Sequence, residues 1–128
     1  MFFNNQMQER FNPGTDLTAV ATAQVVGKTL VTYAAGLTSG LISVATATPG
    51  KAVAGVAKYD ADTGEHVGVA RGSGRIVTIT AATGLKAGDP VTVGDAGKAT
   101  TATDDNHIVG WCVDDADADT DALISLAH

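Results

Sequence analysis

A small all-β domain, a sandwich or barrel of about nine short strands with an extended N-terminal arm, is the fold this sequence predicts. Three observations carry that expectation. Ala (22), Thr (17), Gly (15) and Val (14) account for 68 of 128 residues, while the strong helix formers Glu (2), Met (2) and Lys (5) are scarce, which argues against a helical bundle or coiled coil. From Thr15 onward, short β-branched runs alternate with Gly, Pro, Asp and Asn, the punctuation of many short strands. Finally, 45% hydrophobic against 17% charged residues is enough apolar surface to offset the entropy of ordering a single modest core, and the length suits one domain.

Taken in order, the first element is compositionally foreign to the rest. Phe2, Phe3 and Phe11, with Met1 and Met7, are all the phenylalanines and methionines of the chain. Asn12-Pro13-Gly14 is a turn signal that ends whatever precedes it. Residues 1–14 are therefore read as an arm and residues 15–128 as a single β domain. Phe3, Met7 and Phe11 are spaced i, i+4, i+8, but an isolated helix this short is marginal in water, so an arm that orders against a neighbour is the better expectation. Fully burying a Phe or Met side chain contributes about 1.5–3 kcal/mol, which makes Phe2, Phe3, Met7 and Phe11 the candidate partner-binding residues. The alternative is that they fold back and plug one end of the barrel.

The clearest strands are Thr29 to Tyr33, Leu41 to Ala45, Ala52 to Tyr59, His66 to Ala70, Arg75 to Thr80, Pro90 to Val93, Ile108 to Val113 and Ala122 to Leu126, with a weaker one at Leu17 to Ala23. Arg75 to Thr80 alternates as R-I-V-T-I-T behind the Gly-rich stretch Arg71-Gly72-Ser73-Gly74, so it reads as a hairpin with the strand before it. Pro90 lacks an N–H and belongs at a strand's first position or on an edge. One internal echo is visible: Asp60-Ala-Asp-Thr aligns with Asp117-Ala-Asp-Thr, each copy following a Gly-containing apolar strand, with the Gly-to-Asp spacing differing by two residues. This is a duplicated hairpin within one barrel or a coincidence.

The net charge of −6 is unevenly spread, since residues 104–128 hold seven Asp and no Lys or Arg. Nucleic acid and anionic membranes, bound mainly through clustered Lys and Arg, are not expected partners. A single cysteine, Cys112, excludes an intrachain disulfide and reads as a small buried hydrophobe. MFFNNQMQER has no basic n-region before a long apolar run, and no stretch approaches 18 apolar residues, so synthesis in a cytoplasm and a soluble product are expected.

No set of residues has the spacing that catalysis or metal binding needs. The run Asp114 to Asp121 offers carboxylates to a hard cation. Placed as a calcium loop from Asp115, however, it has Thr120 where the Gly belongs and Leu126 where the bidentate Glu belongs, so a solvated acidic turn is expected and no cofactor. His66, His107 and His128 are scattered and lack zinc spacing. Ser73 sits in no nucleophile elbow and Gly72-Ser73-Gly74 is too short to cradle a phosphate; an enzyme is not expected. Arg71 and Arg75 bracket a Gly-rich turn and are candidate surface contacts for a carboxylate-bearing partner, against the plainer reading of two solvated charges. Trp111, between Ile108 and Val113, reads as core, with a stacking platform for sugars as the alternative.

The stretch Gly84-Leu85-Lys86-Ala87-Gly88-Asp89-Pro90-Val91-Thr92-Val93, followed by Gly97-Lys98-Ala99-Thr100, Ile108-Val109-Gly110-Trp111 and an Asp-rich turn into Leu123-Ile124-Ser125-Leu126, resembles the capsid decoration (cementing) proteins of tailed bacteriophages. The resemblance covers roughly residues 40 to 127 and rests on turn signals. It implies a structural virion protein on the outer capsid surface, made in the host cytoplasm. Such a protein binds the major capsid protein, commonly as a homotrimer, and stabilises the shell; an N-terminal arm often touches the capsid. Two other readings stand beside it: a carbohydrate- or receptor-binding module of a virion or surface fibre, and a structural subunit of a tail assembly.

Overall fold

The computed structural model describes residues 4–7, 16–103 and 107–128. Apart from a 3-10 turn at Asp95–Gly97, every regular element among them is a strand: β1 (Asp16–Ala21), β2 (Leu30–Thr38), β3 (Leu41–Thr46), β4 (Gly55–Ala57), β5 (His66–Ala70), β6 (Ile76–Thr80), β7 (Pro90–Val93), β8 (Ala99–Thr101), β9 (Gly110–Cys112) and β10 (Asp121–Leu126). The all-β expectation holds, and all nine expected strands are present. The tenth, β8, has only three residues, Ala-Thr-Thr, too few for alternation to register. Pro90 opens β7 opposite Trp111, the position where its missing N–H costs least.

The strands form a closed barrel in the order β1-β3-β2-β4-β5 and a five-stranded sheet in the order β6-β10-β9-β7-β8. β5 returns antiparallel to β1, and β1 lies parallel to β3. In the second sheet a parallel bridge between Ala81 and Ala99 brings the end of β6 to β8. The second sheet thus follows the first one's circuit strand for strand, and we refer to the two as the first and second barrels. The expected hairpin at Arg71 to Arg75 is not one: β5 pairs with β1 and β4, and β6 pairs with β10. The Gly-rich stretch carries the chain from one barrel to the other. Local alternation and glycines mark a reversal-prone connection but do not specify which strands pair.

The repeat is larger than the echo in sequence and lies in a different register. Val25 and Ala61 exchange backbone hydrogen bonds, as do Leu85 and Ala116. The carboxylates of Asp60 and Asp115 accept from the N–H groups of Gly27 and Ala87, at 2.8 and 2.9 Å. Lys28 N–H donates to Ala57 O and Gly88 N–H to Cys112 O. The equivalent of Asp60 is therefore Asp115 and not Asp117, and in this register the Gly-to-Asp spacing is the same in both copies. The four-letter match D-A-D-T misled because Asp115-Ala116-Asp117-Ala118 offers almost the same letters two residues earlier. A five-stranded unit is duplicated, not a hairpin.

Packing couples the two copies. One apolar cluster fills the first barrel and includes Val25, Val31, Val67 and Val69; the other includes Ile79, Leu85, Val91 and Ile124 of the second barrel together with Leu30, Val56 and Ala70 of the first. Successive residues on a strand point to opposite faces, so Val31, Ala57 and Val69 face one core while Leu30, Val56 and Ala70 face the other. That is why Leu30-Val31 of β2, all of β4 and Val69-Ala70 of β5 are apolar at successive positions. Close approach of strands sets the glycines: a Cβ on Gly55 would lie 2.5 Å from Ala70 O, and one on Gly110 would fall on Ser125 O.

Candidate interaction surfaces

Of the arm residues singled out in the sequence, Phe2, Phe3 and Phe11 lie outside the described residues. Met7 is described and is 78% exposed.

Arg71 and Arg75 leave the barrel-to-barrel crossing in different directions. The Arg75 guanidinium sits 2.9 Å from the Asp16 carboxylate and donates to Arg71 O at 2.9 Å. Lys58 approaches the same carboxylate at 2.8 Å. Hydrogen bonds from Lys58 and then Arg75 hold the Asp16 carboxyl below its ordinary value, because both favour the charged form. Arg75 therefore joins the first strand of the domain to the inter-barrel crossing. Arg71 reaches back across the first barrel to the Tyr33 hydroxyl at 3.3 Å.

The acidic segment is exposed, as a solvated turn would be, but most of its charge is matched within the molecule. Asp121 meets Lys28 at 3.0 Å, Asp119 meets Lys98 at 3.0 Å and Asp115 meets Lys86 at 3.7 Å. Of these pairs, Lys28–Asp121 spans the two barrels. Among the described residues no three His, Cys, Asp or Glu side chains converge in a way that could hold a metal ion. His107 and His128 line one recess with Lys51 and Val53, while His66 begins β5 elsewhere. Cys112 is buried, its thiol 3.0 Å from Asp114 O.

Trp111 contradicts its sequence reading as core: its neighbours Gly110 and Cys112 are buried while it is 47% exposed. Three residues of strand cannot show which face is inside. The register makes Gly110 and Cys112 inward, and Trp111 projects from the outer face of the second barrel. There it stands in a row across four strands, Ile76, Ser125, Trp111 and Pro90, set by the pairings Ile76–Ser125, Ser125–Trp111 and Trp111–Pro90. Val113 and Leu123, joined by Val113 N–H to Leu123 O, extend the same face. Ile76, Trp111, Val113 and Leu123 are four of the nine exposed large hydrophobic side chains among the described residues, and a concentrated apolar patch of this kind marks a contact surface. Alternation along a single strand, the usual clue in sequence, does not bring them together. Only the register does.

A solved structure, "The crystal structure of head fiber gp8.5 N base in bacteriophage phi29", is similar in fold at a TM-score of 0.75 and 24% identity, the similarity covering 88% of this chain and 92% of that one. Among curated proteins none matches the chain. The phage cement protein family matches residues 10–126, a span that includes both barrels, and the chain belongs to that family.

Proposed function

We propose that this protein is a non-enzymatic component of a tailed-bacteriophage head that binds the outer surface of the shell through the major capsid protein and stabilises it against internal pressure, acting as a homotrimer. It is made in the host cytoplasm and incorporated into the virion. The observation that carries this reading is membership of the phage cement protein family across both barrels. The architecture supports it: five ion pairs form within the molecule, and exposed apolar side chains, among them Met7 and those of the Trp111 face, are open to partners. An interface of that character is stabilised by area removed from water rather than by a chemical group.

In this reading the arm, with Phe2, Phe3, Met7 and Phe11, grips the shell, and residues 15–128 form the folded body. The test is decoration of purified undecorated heads by the full chain and by a chain lacking residues 1–14, with occupancy read by cryo-EM. Full occupancy by the full chain, greatly reduced occupancy by the truncated chain, and unchanged cooperative melting of the latter are expected. Truncated protein that melts far lower shows that the arm belongs to the core. Equal decoration by both shows that it is dispensable. The exposed indole of Trp111 is also what a sugar-stacking site presents. Its neighbours on the sheet, Ile76, Val113 and Leu123, are apolar, and Ser125 beside it offers a single hydroxyl, too little to fix a sugar's several hydroxyls, so a glycan array is expected to show no binding.

A further inference from the structure

We propose that the outer face of the second barrel, centred on Trp111, is the docking surface for the first barrel of another copy of this chain, which it receives as the first barrel receives the second within one molecule. This rests on the homotrimer reading above and names its contact.

The argument comes from the duplication. In the first barrel the pairings Leu30–Val56, Val56–Ala70 and Ala70–Asp16 place Leu30, Val56, Ala70 and Asp16 in one row across β2, β4, β5 and β1. The matching hydrogen bonds make the equivalent row in the second barrel Pro90, Trp111, Ser125 and Ile76. Leu30, Val56 and Ala70 are between 0% and 5% exposed because the second barrel covers them. Trp111 and Ile76 are 47% and 56% exposed, although they are the larger and more apolar side chains of their row. The same surface of the same fold is covered once and open once.

The covered contact also shows what the occupant is. The second barrel meets the first through Thr80, whose N–H donates to Lys28 O, and through the β7–β8 connection, where Gly97 lies against Leu30 O and Thr29. Val77, Val109 and Leu126 line recesses shared with Val56. In the first barrel the position of the β7–β8 connection is taken by the β2–β3 hairpin, longer because β2 has 9 residues to β7's 4. That hairpin presents Tyr33 and Leu37 to solvent at 48% and 54%. Each molecule thus carries an open apolar socket on one barrel and an open apolar prong on the other. Such a contact is heterologous, and it closes into a ring or runs on as a filament according to its rotation.

Sedimentation velocity of the full chain, without heads, between about 1 and 100 µM tests it. The wild type is expected to assemble. Trp111→Glu and, separately, Ile76→Glu on the socket and Leu37→Asp on the prong are each expected to weaken association by about thirty-fold or more, the loss typical of a buried anchor, with unchanged far-ultraviolet circular dichroism. All three sites are half exposed, so folding does not depend on them. An equimolar mixture of Trp111→Glu and Leu37→Asp is expected to stop at a one-to-one dimer, because one intact socket and one intact prong remain. A monomeric wild type overturns both the oligomeric reading and this contact. Assembly that survives Trp111→Glu and Ile76→Glu overturns the contact alone. So does assembly that survives Leu37→Asp while the socket variants are monomeric, since the socket then pairs with itself.

Discussion

The first and second barrels share a circuit of strands, a set of turn hydrogen bonds and some identical residues, Gly55 with Gly110 and Asp60 with Asp115 among them, yet they differ at many equivalent places. Val25 and Leu85, Gly27 and Ala87, Lys28 and Gly88, Gly64 and Asp119 stand opposite one another. What the copies keep is backbone pairing and inward volume. What they vary is the outer face, covered in the first barrel and bare in the second. The comparison separates residues that build the unit from residues that connect units.

Five sets of variants break or sharpen it. The largest effect is expected at the strand crossings. A methyl group at Gly55 or Gly110 meets the carbonyl of the neighbouring strand, at Ala70 and Ser125 respectively, and backbone there cannot yield cheaply. Gly55→Ala and Gly110→Ala are each expected to cost about 3 kcal/mol or more in chemical denaturation, at the upper end for overpacking. A loss under about 1 kcal/mol in either would show that the crossing is not shared.

Next come the two central side chains. Val25 and Leu85 are fully buried at equivalent positions in separate clusters. Leu85→Ala is expected to cost about 2–5 kcal/mol, and Val25→Ala less, in proportion to the smaller volume removed. Because Leu30, Val56 and Ala70 belong to the second cluster while lying on the first barrel, both variants should shift one unfolding transition seen alike by circular dichroism and Trp111 fluorescence. Two separated transitions would mean that the barrels fold independently.

The turn carboxylates follow. Asp60→Ala and Asp115→Ala each leave a backbone N–H without its acceptor, and each should cost about 1–2 kcal/mol. Similar losses support the register in which these residues correspond. A near-zero loss at Asp115 beside a normal one at Asp60 would break it. In the same turns Lys28 and Asp119 hold positive φ of 63° and 62° where the other copy has Gly88 and Gly64. Lys28→Gly and Asp119→Gly relieve that strain but lose exposed ion pairs worth about 0.5 kcal/mol, so a net change within about 1 kcal/mol of zero, on the stabilising side, is expected.

The smallest effect belongs to the first barrel alone, since Asp16 is an ion-paired carboxylate where its counterpart is Ile76. Its pKa is lowered in the folded state by Lys58 and Arg75. A lowered folded value means that the unfolded chain binds the proton more readily, so the contribution is present above the ordinary value near 3.8 and is lost as pH falls through the folded value. Asp16→Asn should therefore destabilise by about 0.5 kcal/mol or less at pH 7, the pair being solvent-exposed, and by nothing at pH 2. An equal loss at both pH values would assign the effect to packing.

Alternation and turn residues by themselves determined that the chain is all β, where nine of its strands lie and that Pro90 begins one. These follow from short-range physics: side chains alternate with period two, and glycine, proline and aspartate interrupt ladders wherever they stand. They also carried the resemblance to the phage cement family, through a combination of turn signals spread along the chain. The pairing of strands was decided only in three dimensions. Nothing between Arg71 and Arg75 says that β6 will reach β10 instead of β5, since β10 lies some forty residues further on and pairing at that distance is settled by which faces can be buried together. The same holds for Trp111, whose outward direction depends on the inward placement of Gly110 and Cys112. It holds for the true register of the repeat, carried by hydrogen bonds at Asp60 and Asp115 and hidden by a chance match of letters. The open face is the furthest from the sequence, because a row of Ile76, Ser125, Trp111 and Pro90 exists only once four separate strands lie side by side.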